Sequence, residues 1–129
     1  TRYYLTQMLK KNSGIIINMC SIASSLAGGG GHAYTSSKHA LAGFTKQLAL
    51  DYAEAGIQIF GIAPGAVKTK MTAADFEPGG LADWVAEETP IKRWLDPQEV
   101  ADVTLFLASG KAAAMQGEIL KIDGGWSLK

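Results

Sequence analysis

The sequence holds a single cysteine, Cys20, among its 129 residues. One thiol excludes an internal disulfide framework and suits a reducing compartment, so a cytoplasmic protein is expected. Neither sign of charge is in excess: twelve Lys and Arg balance twelve Asp and Glu. No basic stripe is left to neutralise phosphates, which argues against a nucleic-acid partner. No apolar run approaches the roughly 20 residues of a membrane span, and no signal-peptide pattern opens the chain, so no membrane partner is expected. Two histidines and one cysteine offer no metal-ligand spacing. Prolines number four against fifteen glycines, which suits an α/β protein with tight turns rather than a linker. There is enough apolar material for a core, with 47% of residues hydrophobic and 19% charged. The length fits about one ordinary domain. There is no initiator Met, and the helical pattern at the start lacks a capping residue, so that helix is expected to begin upstream.

Residues 1–12 place Tyr4, Leu5, Met8 and Leu9 at helical spacing, with Lys10, Lys11 and Asn12 suited to a C-terminal turn. Gly14 introduces the β-branched run Ile15-Ile16-Ile17-Asn18-Met19-Cys20, which predicts a strand covered on both faces. A Ser/Ala/Gly stretch follows, from Ser21 to Gly31. A helix is then predicted over 33–55, with Tyr34, Leu41, Phe44, Leu48 and Tyr52 on one stripe and Gly56 as its stop. Residues 57–63 read as a second buried strand, broken by Pro64 and Gly65. The stretch from Val67 to Arg93 reads as a loop with one or two short helices. Asp96, Pro97 and Glu99 then announce a helix whose buried face is Val100, Val103 and Leu107, stopped by Gly110. Residues 118–123 make a third strand, closed by Gly124 and Gly125. Strands alternating with helices predict right-handed crossovers and an open parallel sheet.

Tyr34 and Lys38 stand four apart at the start of the long helix, so their side chains share one face. A phenol is a poor acid–base group at neutral pH, and a nearby ammonium favours its ionised form. Ser21 lies thirteen residues before Tyr34, at the carboxyl end of the preceding strand. Ligands of open α/β sheets bind outside those strand ends, where Ser21 and Tyr34 could converge on a substrate oxygen. Taken alone, a Tyr-x-x-x-Lys spacing is common by chance, and Tyr34 could simply begin the apolar stripe.

Four spaced motifs occur together: Asn18-Met19-Cys20-Ser21, Tyr34-x-x-x-Lys38, Pro64-Gly65-x-Val67-x-Thr69 and Asp123-Gly124-Gly125. In this order and spacing they resemble the carboxyl-terminal half of the short-chain dehydrogenase/reductase (SDR) family, over nearly the whole chain. The resemblance implies a Rossmann-type, doubly wound parallel sheet, of which three strands with flanking helices are in the chain. It also implies hydride transfer between NAD or NADP and a small-molecule carbonyl or alcohol. By position, Tyr34 would be the general acid/base, and Ser21 would orient and polarise the substrate oxygen. Lys38 would favour the ionised Tyr34 and hydrogen-bond the nicotinamide ribose. The Val67 backbone and Thr69 would hold the carboxamide, with Pro64 and Gly65 shaping the turn. The hydride chemistry belongs to the cofactor.

The family's glycine-rich dinucleotide turn is not in this sequence, nor is the residue that chooses between NAD and NADP. Its Asn-Asn-Ala-Gly segment and its catalytic helix asparagine are not there either. Residues 1–129 are therefore expected to be the catalytic and oligomerising half of one domain, without its amino-terminal nucleotide-binding half. Gly28-x-Gly30-x-x-Ala33 fits a dinucleotide fingerprint as a string. Seven residues separate it from the strand, however, whereas a functional fingerprint turns directly from strand to helix. It reads as a substrate-side loop.

Cys20 with His32 and His39 lacks an orienting third group and reads as a small buried hydrophobe. Ser24, Ser25, Ser36 and Ser37 lack the Gly-x-Ser-x-Gly setting of a nucleophile. Met71, Phe76, Trp84 and Trp94 could line an apolar substrate pocket or serve as packing, evenly balanced. Ala40, Gly43, Gln47 and Leu50 form a second face of the long helix. With the helix over 1–12 it could build a two-fold bundle, the dimer contact that the family uses, usually within a homotetramer. The segment Thr89 to Trp94 and the ending from Gly117 to Gly125 look most like 3-oxoacyl-[acyl-carrier-protein] reductases. The alternatives are a sugar or polyol dehydrogenase of the same family, or a non-catalytic fragment or assembly module with an open strand edge.

Overall fold

The computed structural model describes residues 1–128. Three parallel strands, β1 (Gly14–Met19), β2 (Ile57–Pro64) and β3 (Ile119–Ile122), form one sheet in the order β1-β2-β3. Gly14 lies opposite Ile57 and Met19 opposite Ile62, and Gly61 lies opposite Ile119 and Pro64 opposite Ile122. The alternation of β2 builds two cores. Ile57 and Ile59 pack against Leu5, Leu48 and Ala49, whereas Phe60 and Ile62 pack against Val100, Leu107 and Ala112 on the other face. The middle strand is thus covered on both sides, as its apolar run predicts. β1 is only half-buried, because among the described residues it has a neighbouring strand on one edge alone.

Helix α1 (Arg2–Lys11) ends on two lysines and on Asn12 in the left-handed conformation, with Leu5 buried. Tyr4, expected on the same stripe, points outward and is 68% exposed. Helix α2 spans Gly31–Tyr52, starting two residues before and ending three residues before the expected 33–55. Its end is a turn in which the Gly56 N–H donates to the Ala53 carbonyl, with Gly56 at φ +75°. The buried face of α2 is Ala42, Thr45, Leu48 and Ala49. Tyr34 and Phe44 are exposed instead. Small side chains let the helix approach the sheet closely, which turns the bulkier Phe44 away from it.

The connection from β2 to β3 carries a 3-10 turn (Lys70–Phe76), α3 (Ala82–Glu88) and α4 (Pro97–Ala108). Asp96 accepts from the Gln98 N–H at 2.8 Å, and Glu99 accepts from the Asp96 N–H at 2.8 Å, which is the predicted capping box. Val100 and Leu107 are buried on the sheet. Helix α4 packs on the face opposite α1 and α2. Both connections step the same way across the sheet but over opposite faces, so their hands are opposite, and the expectation that every crossover is right-handed fails. The preference for one hand arises where a right-twisted strand feeds the helix that packs back on the sheet. The β2–β3 connection is long and detours through α3.

Candidate active site

A cavity of about 940 Å³ opens at the carboxyl ends of the strands. Ser21, Tyr34, Lys38, Pro64, Gly65, Val67 and Thr69, all expected as site residues, line it together. Ser21 lies two residues beyond the end of β1 and is 9% exposed. Its Oγ accepts from the Ala23 N–H at 3.2 Å and caps the 3-10 turn Ile22–Ser24. That bond uses a lone pair and leaves the hydroxyl proton available for donation. Tyr34 sits on the first turn of α2 and Lys38 one turn later, with Nζ 5.5 Å from the Tyr34 ring centroid. The Lys38 ammonium donates to the Met19 carbonyl at 2.8 Å.

The other wall is the turn after β2. The Gly65 N–H donates to the Ile122 carbonyl at 2.9 Å, and a Cβ placed on Gly65 would stand 2.9 Å from the Asp123 Cα. Val67 bridges Leu95 through Lys68 N–H to Leu95 O at 3.0 Å and Leu95 N–H to Ala66 O at 2.9 Å. Strand geometry therefore turns the Val67 N–H away from Leu95. The Thr72 hydroxyl lies 2.9 Å from Val67 O and accepts from the Thr69 N–H at 3.0 Å, fixing the segment that carries Thr69.

Asp123 holds the far end of this wall. Its carboxylate accepts from the Gly125 N–H at 2.9 Å and the Ser127 N–H at 3.0 Å. Burial pushes its pKa up, but the hydrogen bonds from Ser127 and Gly125, with the charge of Lys121, outweigh burial and leave it below the ordinary value. The Gly124 carbonyl accepts from the Ile91 N–H at 3.3 Å, so the Pro64-Gly65, Thr89–Ile91 and Asp123–Gly125 segments meet.

The nicotinamide end of a dinucleotide requires polar groups for its ribose hydroxyls and carboxamide. Lys38 Nζ, the Tyr34 and Thr69 hydroxyls and the Val67 backbone are polar groups on residues lining one cavity, and this donor set fits that end of the cofactor. The glycines from Gly28 to Gly31 do not line it, so the fingerprint-like string contributes no phosphate cradle there. Of the four large apolar residues in the β2–β3 connection, only Met71 lines the cavity. The Phe76 and Trp94 rings meet at a tilt of 54° with centroids 4.8 Å apart, and Trp94 Nε1 donates to the Ala82 carbonyl, so these two serve packing. Cys20 is buried with Ala42 and Ala63. Among the described residues no group of His, Cys, Asp and Glu could hold a metal ion. No described helix is long and apolar enough to cross a membrane.

Sequence reasoning missed the contribution of α4, whose Ala101, Thr104, Leu105 and Ala108 line the opposite side. The signal was the second apolar stripe of that helix. It also missed the Thr69-x-x-Thr72 pair, which could have been found as a capping spacing.

A family model described as enoyl-(acyl carrier protein) reductase matches residues 1–127. Gluconate 5-dehydrogenase of Gluconobacter oxydans is 36% identical over 118 residues, 92% of this chain and 46% of that protein. The crystal structure of a gluconate 5-dehydrogenase from Burkholderia cenocepacia, in complex with NADP and tartrate, matches with a TM-score of 0.91 at 34% identity, covering 97% of this chain and 49% of that one. A 4-hydroxyisoleucine dehydrogenase mutant complexed with NADH and succinate matches with a TM-score of 0.93 at 29% identity, covering 99% and 53%. The chain spans about half the length of the curated relatives it matches. By the family-model match, together with the four motifs and the shared fold, the chain belongs to the short-chain dehydrogenase/reductase family.

Proposed function

We propose that residues 1–129 are the catalytic and oligomerising half of a domain about twice as long, an NAD(P)-dependent oxidoreductase that interconverts an alcohol and a carbonyl. The observation that carries this reading is the convergence of Ser21, Tyr34 and Lys38 with the Pro64–Thr69 segment on one cavity. Its volume lies within the range of small-molecule sites.

In the direction of reduction, Tyr34 gives its phenolic proton to the substrate carbonyl oxygen. In oxidation it takes that proton back from the alcohol. The Ser21 hydroxyl donates to the same oxygen and orients it. Lys38 places its positive charge beside the Tyr34 ring, where it stabilises the negative charge that develops on the phenol oxygen. The Val67 backbone and Thr69 would hold the carboxamide of the nicotinamide, which, when bound, would supply or accept the hydride. Both NADP and NADH accompany structural relatives, and either cofactor is accommodated by this reading.

The substrate class we favour is a sugar acid or polyol, as in the gluconate 5-dehydrogenases, rather than a 3-oxoacyl-[acyl-carrier-protein]. The segments that resemble the latter, Thr89–Trp94 and Gly117–Gly125, lie outside the cavity lining. They pack on each other: a Cβ on Gly124 would lie 2.7 Å from Ile91. Their likeness therefore reports packing rather than substrate choice. The exposed Tyr3, Tyr4, Phe44 and Leu50 on α1 and α2 suit burial against a second copy, within a dimer or homotetramer. Cys20, buried and unpaired, suits a cytoplasmic setting.

The reading is tested by supplying the full-length protein with gluconate and NADP or NAD, and separately with a 3-oxoacyl thioester and NADPH or NADH. Turnover with the sugar acid or a related polyol is expected. Turnover confined to the thioester would overturn the substrate assignment, and none with any alcohol or carbonyl would overturn the activity.

A further inference from the structure

Four glycines, Gly28 to Gly31, lead into α2, and the phosphate-binding reading of that string has no support from the cavity. Their surroundings separate them. Gly28, Gly29 and Gly31 have nothing within 4 Å of where a Cβ would stand. Gly30 differs. A Cβ there would lie 2.5 Å from Cδ1 and 2.8 Å from Cγ of the Tyr34 ring. Gly30 is also the N-cap of α2, at φ +94°. The ring of Tyr34 therefore rests against the bare backbone of the residue one turn earlier, in space that any side chain would fill.

We propose that Gly30 is a positioning residue for Tyr34: its missing side chain is the space that lets the phenol ring lie at the mouth of the cavity beside Lys38. This rests on the reading of Tyr34 as the proton-transferring group. A Cβ on Gly30 forces the ring to another rotamer, because ordinary carbon contacts do not close below about 3.5 Å. The ring then leaves the position in which Lys38 Nζ stands 5.5 Å from its centroid. A displacement of about 1 Å at a reacting group costs on the order of a hundred-fold in rate.

Gly31 supplies the control. It also has a positive φ, +72°, so an alanine there suffers similar backbone strain without meeting the ring. Gly29 lacks even that strain. The test compares Gly29→Ala, Gly30→Ala and Gly31→Ala in the full-length protein, each alone and combined with Tyr34→Ala. Thermal unfolding and steady-state kinetics are both read.

Gly30→Ala is expected to lower Tm by at least about 2–4 °C more than Gly31→Ala, and most of that excess is expected to disappear when Tyr34→Ala removes the ring. Only the part of the excess due to the ring is lost in that pair, since the 3.0 Å approach to the Tyr34 Cβ remains with alanine. Gly30→Ala is also expected to lower kcat on the order of ten- to a hundred-fold, with a raised solvent deuterium isotope effect and little change in KM for the cofactor. If Gly30→Ala fails to fold, folding of the Gly30→Ala/Tyr34→Ala pair supports the proposal. Failure of that pair to fold beside a folded Gly31→Ala overturns it. Equal costs for Gly30→Ala and Gly31→Ala, or costs independent of Tyr34, also overturn it. The stability coupling is read without turnover. An active Tyr34→Phe enzyme would therefore sink the proposed chemistry while leaving the ring contact to be judged separately.

Discussion

The Lys38 ammonium is tied to the carbonyl oxygen of Met19, 2.8 Å away, and the strand itself presents that oxygen. The peptide joining Met19 and Cys20 donates its N–H to Ile62 O at 2.8 Å. A trans peptide points its carbonyl the other way, so pairing with β2 turns the Met19 carbonyl outward, to where Lys38 reaches from α2. The strand that sets the sheet register thus also fixes the cation beside Tyr34. Replacing Lys38 by Met keeps the aliphatic stem and deletes the charge. Stability should change by only about 0.5–1.5 kcal/mol, the worth of one hydrogen bond, whereas turnover of the full-length protein should fall roughly 10²- to 10⁴-fold. Thermal unfolding and kcat measured on the same sample separate the two effects, and a variant that loses stability but keeps its rate would contradict the assigned role.

Gly65 joins the site wall to the end of the sheet. The Cβ of an alanine there would stand 2.9 Å from both Cα and Cβ of Asp123, and neither neighbour is a flexible chain end. Gly65→Ala should therefore cost about 1–3 kcal/mol, as overpacking does. Because Val67 and Thr69 follow directly, it should also weaken NAD(P) binding. Denaturant unfolding and cofactor titration check the two halves, and unchanged cofactor affinity would detach Gly65 from the site.

Acid should weaken the α4 cap within a defined window. Arg93 grips Glu99 at 2.7 and 2.9 Å, and with the Asp96 N–H it lowers the Glu99 pKa from its ordinary 4.5 to about 2. A carboxylate with a depressed folded-state pKa stabilises the fold above its unfolded value and loses that contribution as pH falls. The loss should thus run from about pH 4.5 down to about 2. Both groups are exposed to solvent, so salt should diminish it. Glu99→Gln should flatten this part of the stability–pH curve, and an unaltered curve would show that the pair is energetically silent.

The outward faces of α1 and α2 carry Tyr3 and Tyr4, 70% and 68% exposed, and Leu50, 75% exposed. If the full-length protein assembles through these faces as proposed, charge introduced by Tyr4→Glu with Leu50→Glu should convert it to smaller species at unchanged secondary structure. Light scattering coupled to gel filtration reads the mass. An unchanged mass would place the contact elsewhere.

Much of this architecture was legible because its signals are local. The apolar run of β2, the capping box at Asp96 and the Tyr34–Lys38 spacing each depend on a few adjacent residues, and each lies where periodicity placed it. The stripe of α2 was misread for a different reason. Hydrophobicity favoured Phe44, but the sheet took Ala42, Thr45 and Ala49, because approach distance rather than apolarity decides which face packs. The position of α4 across the sheet was illegible for a third reason. No local pattern in its sequence says which face a long connection will choose. The support behind Gly65, where Asp123 and Ile91 meet, joins residues far apart in sequence, and only the motif spacing hinted at it.

Tyr34 carries the proposed chemistry, and one measurement addresses it: turnover of the full-length Tyr34→Phe protein with its alcohol or carbonyl substrate, alongside NAD(P) binding. Phe keeps the ring and removes the hydroxyl that transfers the proton. Turnover should drop roughly 10²- to 10⁴-fold while the cofactor still binds. Turnover retained at the parent rate would contradict the account.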